Sequence, residues 1–108
     1  MIFYGKCKFI ASRADKVIRD FLNRKNDGGR TVLITDPPRT GLDPKTLESI
    51  VSGGGGLKGI LYISCAPDTL GRDLKSFLKA GYEIQSTRLI DMFPRTSHFE
   101  SVTYLEKA

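Results

Sequence analysis

Apolar and polar positions alternate along this chain with two different periods. Ala14, Val17, Ile18, Phe21 and Leu22 recur at helical spacing, which predicts an amphipathic helix over 13–23. Lys8-Phe9-Ile10 just before it is a short strand candidate, and Asn26-Asp27-Gly28-Gly29 after it reads as a turn. The β-branched run 31–35 predicts a buried strand that ends at Asp36. Pro37 and Pro38 then allow neither a strand ladder nor a helix to continue. Asp43 stands where an N-cap is wanted and Pro44 where a helix begins, with Leu47, Ile50 and Val51 on the apolar face. The glycines at 53–56 end that helix. An apolar strand over 59–64 follows, then a helix over 67–80 that turns Leu70, Leu74, Phe77 and Leu78 inward. Lys79 and Gly81 are its stop signals. A strand over 82–90, a loop over 91–99 and a strand over 100–105 complete the chain.

The order β-α-β-α-β-α-β-β predicts an α/β fold. Alternating units build a mostly parallel sheet through right-handed crossovers. The last two strands have no helix between them and are expected to form a C-terminal antiparallel pair. The Phe9 strand is expected to pair directly beside the strand at Thr31. If it did not, an apolar sheet edge would stay open and invite dimerisation.

The 108 residues suffice for one domain with a modest core. Hydrophobic residues at 40% and charged residues at 27% are an ordinary soluble balance. The longest apolar runs are too short to cross a membrane, and no signal peptide is visible. Cys7 and Cys65 resemble neither a disulfide framework nor a zinc cluster, so a reducing, intracellular and cytoplasmic setting is expected, with no metal. The net charge of +5 is compatible with a nucleic-acid partner but is a weak signal.

The chemistry concentrates in three segments. In Tyr62-Ile63-Ser64-Cys65-Ala66-Pro67 a strand gives way at once to a helix, which is where open α/β sheets place their binding crevices. A helix N-terminus favours negative charge, so Cys65 is a candidate nucleophile. The position also suits a small buried hydrophobe that ends a strand. Asp36-Pro37-Pro38-Arg39 fixes a carboxylate at a strand's C-terminal end, though Asp and Pro equally favour a solvated turn. In Asp91-Met92-Phe93-Pro94-Arg95-Thr96-Ser97-His98-Phe99-Glu100 apolar and polar residues are mixed as a plain connector rarely needs, and Glu100 suits general-base work. It would equally suit a charged strand start. Other chemistries fit less well. The glycines at 53–56 precede a strand and lack the Lys-Ser or Lys-Thr pair of a phosphate loop. Cys65 and Arg72 are spaced one residue too far apart for a cysteine phosphatase. A Cys-His hydrolase would have His98 alone as its base.

Together these segments resemble the RNA (uracil-5-)-methyltransferases, which use S-adenosylmethionine. The family's Asp-Pro-Pro-Arg-x-Gly segment is matched by residues 36–41, its Ser-Cys-Asn-Pro-x-Thr-Leu-x-Arg-Asp segment by 64–73, and its Asp-Met/Leu-Phe-Pro-x-Thr-x-His-x-Glu segment by 91–100. The similarity runs from about Phe9 to Glu106. It implies a partial Rossmann-like methyltransferase fold, with 1–108 as the C-terminal part of a class I catalytic domain. By this resemblance Cys65 attacks uracil C6, and Glu100 removes the C5 proton after methyl transfer to give 5-methyluridine in transfer or ribosomal RNA. Asp36 and, on a looser alignment, Ser12 contact the cofactor. Arg39 and Arg72 either hold phosphate or carboxylate groups or serve the structure.

Three departures follow. Ala66 stands where the family has Asn, and Ser12 near where the family usually places Asn or Asp for the cofactor's adenine. The family's first strand, glycine-rich turn and acidic second strand have no counterpart before Phe9, nor do its upstream RNA-binding regions. The chain therefore reads as an incomplete fragment, inactive by itself, whose N-terminal half lies upstream or on another chain. The alternative is a non-catalytic remnant that acts as an RNA-binding or interaction module.

Overall fold

A computed structural model describes residues 2–5, 7–24, 29–52, 57–90 and 100–108, with the backbone alone at 2–4. Their element order is β1 (Ile2–Tyr4), β2 (Cys7–Phe9), α1 (Ala14–Arg24), β3 (Val32–Thr35), α2 (Pro44–Val51), β4 (Gly59–Ser64), α3 (Pro67–Lys79), β5 (Tyr82–Ile90) and β6 (Glu100–Lys107). The expected loop over 91–99 with His98, the glycine run at 53–56 and most of the turn at 26–29 lie outside the described residues.

The α/β class holds, and the sheet is mixed. Its order is β3-β4-β6-β5. β3 and β4 are parallel, whereas β6 runs antiparallel to both β4 and β5. Three of the four strands thus point the same way. The reversed one sits between two of them, which makes two of the three neighbour pairs antiparallel and corrects the expectation of a mostly parallel sheet. The cause is the β5–β6 connection. Nine residues separate β5 from β6 in sequence, fewer than a crossover to a parallel neighbour needs, so the two strands pair antiparallel.

The expected pairing of the Phe9 strand with the Thr31 strand is also corrected. β2 pairs instead with β1 in an antiparallel hairpin, Phe9 opposite Ile2 and Cys7 opposite Tyr4. A partner a few residues upstream closes a far shorter loop than one beyond α1, at lower entropic cost. Among the described residues β3 keeps an open edge, with Val32 and Ile34 exposed.

The core lies between one sheet face and the three helices. On β4, Ile60 and Tyr62 are fully buried, and on β6 so are Thr103 and Leu105. Leu22 of α1, Ile50 of α2 and Phe77 of α3 join the same cluster, with Ile18, Leu47, Leu70 and Leu74 packed against it. Phe77 stands edge-on to both Tyr62 and Tyr82 at 6.3 Å between ring centroids. Each such pair adds about 0.5–1.5 kcal/mol beyond its buried area. Leu78, expected inside, is exposed, because the buried stripe of α3 runs through Leu70, Leu74 and Phe77 and turns away at the next position. Alternate strand residues such as Leu61 and Ile63 point to the other face and are half-buried.

α2 begins as its sequence dictates. The Asp43 carboxylate accepts the Thr46 amide at 3.2 Å, and Pro44 opens the helix. The Thr46 hydroxyl donates to the same carboxylate. These two hydrogen bonds hold Asp43 below the ordinary carboxylate value.

Candidate active site at the C-terminal end of the sheet

Two rungs of the sheet bring the sequence-predicted residues to one end. Ser64, the last residue of β4, pairs with Ser101 of β6, so the next positions outward are Cys65 and Glu100. Thr35, the last residue of β3, pairs with Tyr62, so Asp36 leaves the sheet at the level of Ile63. Asp36, Cys65 and Glu100 therefore stand at the same end, on three neighbouring strands in the order β3, β4, β6. Strands rise about 3.3 Å per residue and lie about 4.8 Å apart. That spacing puts the three within the span of one small ligand. Cys65 and Asp36 are exposed, and Glu100 is half-buried. The reading of Cys65 as a buried hydrophobe is excluded by that exposure.

The bend that presents Cys65 is shaped by its neighbours. The Ser64 hydroxyl accepts the Ala66 amide at 3.0 Å and donates to the Ala66 carbonyl at 3.0 Å. Cys65 is held between them, pointing to solvent, while Pro67 starts α3. Ala66 is the N-cap and gives the helix no side-chain hydrogen bond. The Thr69 hydroxyl reaches back to the Ala66 carbonyl at 3.3 Å and to the Arg39 carbonyl at 2.9 Å.

A buried charged network fastens the Asp36 loop to α3. Asp73 is fully buried. Its carboxylate accepts the Leu42 amide at 2.9 Å and the Tyr62 hydroxyl. Arg72 donates to the other Asp73 oxygen at 3.1 Å, and also to the carbonyls of Thr40 at 3.0 Å and Leu42 at 3.1 Å. Burial and the hydrogen bond to Asp73 push the Tyr62 phenol well above its ordinary range. Gly41 makes this close approach possible. Its φ is +80°, and a Cβ there would lie 2.5 Å from Arg72 Nη2 and 2.9 Å from Asp73 Oδ2. Arg72 thus serves the structure through the loop it braces.

Sequence reasoning missed Tyr62 and Asp73 as network members. A signal was present: Leu70, Asp73, Leu74 and Phe77 share one helical stripe, and a carboxylate on an apolar stripe must find donors. Ser12 lies apart from the three strand-end residues. It is exposed beside an open cleft of about 690 Å³ between α1 and β3, with Ile10, Lys16, Phe21 and Ile34 also lining it. Asp36 does not line that cleft.

The arrangement can offer a thiol and a carboxylate to one planar base at the sheet end. A second carboxylate, Asp36, stands on the neighbouring strand. Its comparison with known proteins is consistent. A tRNA (uracil-5-)-methyltransferase family profile matches residues 21–108. An uncharacterized RNA methyltransferase of Caldanaerobacter subterraneus subsp. tengcongensis is 41% identical over 100 residues, 93% of this chain and 21% of that protein. One of Listeria innocua is 41% identical over 97 residues, 90% of this chain and 20% of that protein. The chain thus spans about a fifth of the length of these relatives. Among solved structures, the Pyrococcus abyssi tRNA (uracil-54, C5)-methyltransferase in complex with S-adenosyl-L-homocysteine superposes at a TM-score of 0.60. It is 36% identical, and the match covers 77% of this chain and 19% of that one. M1.HpyAVI superposes at 0.61 over 92% of this chain and 54% of that one; at 18% identity this bears on the fold alone. With one residue of each family segment standing at one sheet end and the family profile spanning most of the sequence, the chain belongs to the tRNA (uracil-5-)-methyltransferase family.

Proposed function

We propose that this chain supplies the nucleophile and general base of an S-adenosylmethionine-dependent RNA (uracil-5-)-methyltransferase, acting on a uridine of transfer or ribosomal RNA. The observation that carries the proposal is the Ser64–Ser101 rung, which sets Cys65 beside Glu100 on antiparallel neighbours. Uracil C5 is a poor nucleophile. The Cys65 thiolate adds to C6, forming an S–C6 bond and placing enolate character at C5. When bound, S-adenosylmethionine supplies an electrophilic methyl group. Glu100 then takes the C5 proton, the S–C6 bond breaks, and the electron pair returns to Cys65 as thiolate. The exposure of Cys65 lets its thiol reach the base, and half-buried Glu100 stands on the neighbouring strand at the same level.

Two separate features of this chain suit parts of the methyl donor. Asp36 projects from the end of β3 as an exposed carboxylate suited to polar contact. Ser12 borders the apolar cleft lined by Ile10, Phe21 and Ile34, which offers walls for a flat ring. The donor's remaining contacts are assigned to the part of the relatives' length that the match does not cover.

A chimera tests the reading. This chain replaces the matching segment of the Caldanaerobacter relative, and RNA containing 5-fluorouridine is used as a trap. A covalent protein–RNA band that Cys65→Ala removes, together with methylation of ordinary RNA, is the expected result. A band that persists in Cys65→Ala assigns the nucleophile elsewhere.

A further inference from the structure

We infer that the groove between α1 and α2 binds the phosphodiester backbone of RNA next to the candidate site. The inference deepens the proposed function and rests on its reading of RNA as the substrate. The groove holds about 470 Å³ and is lined by Arg13, Lys16, Arg19, Lys45, Asp15 and Glu48, with two serines of α2 and its C-cap. Arg13, Lys16 and Arg19 follow one another at intervals of three, extending about 9 Å along the helix axis. Lys45, in the first turn of α2, completes the cationic lining from the other helix.

The charge balance favours an anion. Of the two carboxylates, Asp15 is buried and already held by Arg13, Nε to Oδ1 at 3.1 Å. Among the described residues Lys16, Arg19 and Lys45 form no ion pair, and all three are exposed. Unpaired cations on one wall with a cation on the facing helix suit a repeating polyanion better than a single small anion. The placement fits as well. Asp43 caps α2 directly after the loop that carries Asp36, and Arg13 lies close enough for its charge to act on the Asp43 carboxylate. A strand of RNA whose uridine sits at the end of β4 therefore has a basic track leading away over α1 and α2.

The test is fluorescence anisotropy of the chain with a fluorescein-labelled, uridine-containing stem-loop RNA, titrated between about 50 and 200 mM salt. The variant Lys16→Gln/Arg19→Gln/Lys45→Gln is compared with Lys75→Gln/Lys79→Gln/Arg88→Gln, which loses equal charge outside the groove. Each phosphate contact adds about 0.7–0.9 to the slope of log K against log salt, so the groove variant should lose about two units of slope and the control almost none. Circular dichroism establishes that both are folded. If the triple variant is not, Lys45→Gln against Lys75→Gln decides, with a loss of about one unit expected for the first alone. Equal slopes in groove and control variants, or no RNA binding by the wild-type chain at the lowest salt, overturn the inference. The covalent band of the chimera is read separately, so a groove that binds nothing and a cysteine that forms no adduct give different results.

Discussion

The Asp73 carboxylate, fully buried in α3, accepts the backbone amide of Leu42 at 2.9 Å across 31 residues of sequence. That bond ties the loop after β3, which carries Asp36, to the helix that follows Cys65. Asp73→Ala leaves the Leu42 amide and the Tyr62 hydroxyl without their acceptor and the Arg72 guanidinium without its counter-charge. A loss of about 2–5 kcal/mol in urea unfolding is expected, mostly from the two buried donors left unpaired. Tyr62→Phe, which removes one donor and keeps the ring, should cost about 1.5–3 kcal/mol. The double variant should lose less than the sum, since both changes remove the same bond.

Ala66→Asn should stabilise the chain. Position 66 is the N-cap of α3, its φ of −136° and ψ of 108° are extended, and it offers no side-chain acceptor. An asparagine there can accept a first-turn amide, worth about 0.5–2 kcal/mol relative to alanine. A rise in the urea midpoint at unchanged slope is the expected readout. No rise would mean that the Ser64 hydroxyl on the Ala66 amide already fixes this turn.

Acid should loosen α2 before the rest of the fold. The Thr46 side-chain and backbone hydrogen bonds lower the Asp43 value below its ordinary 3.8. A carboxylate depressed on folding contributes its full stabilisation above the unfolded value and loses it as pH falls through the lower folded one. Asp43→Asn keeps the cap without the charge. Amide protection in the first turn of α2, taken relative to the intrinsic exchange rate at each pH from neutral down past 3.8, should fall in the wild type and stay flatter in the variant.

The legible parts of the fold were those set by local chemistry. The apolar run 59–64 and the stretch 82–90 coincide with β4 and β5, and Asp43-Pro44 marks the start of α2. Strand partners were less legible, because they depend on contacts far apart in sequence. Nothing near Glu100 states that β6 inserts between β4 and β5, and three residues at Ile2–Tyr4 are too few for a period-two signal. The candidate site was read from three short segments, and the sheet brings one residue of each to the same end. Their bracing through Tyr62, Asp73 and Gly41 stayed hidden. Asp73 on the apolar stripe of α3 signalled hidden donors without naming them, and a glycine at φ +80° acquires meaning only when loop and helix meet.

The chain alone should bind S-adenosylmethionine weakly. Asp36 and Ser12 offer polar contacts, but the cleft beside Ser12 is open along β3, and an open site buries too little of a ligand for tight binding. Isothermal titration calorimetry checks this. A dissociation constant weaker than about 100 µM, roughly −5.5 kcal/mol, is expected. Micromolar binding would place most of the donor's contacts within these residues.

The central claim, that Glu100 removes the C5 proton from a uracil held by Cys65, is tested most directly by Glu100→Gln in the chimera. The substitution keeps side-chain shape and hydrogen bonding but cannot take the proton. Attack by Cys65 and methyl transfer do not need that base, so a methylated adduct should persist. The enzyme is mixed with unmodified RNA and a methyl-labelled donor, then run on a denaturing gel. A labelled band at the combined mass of protein and RNA, absent when Cys65→Ala is added, is the expected result. Labelled free RNA released at the wild-type rate would contradict the account.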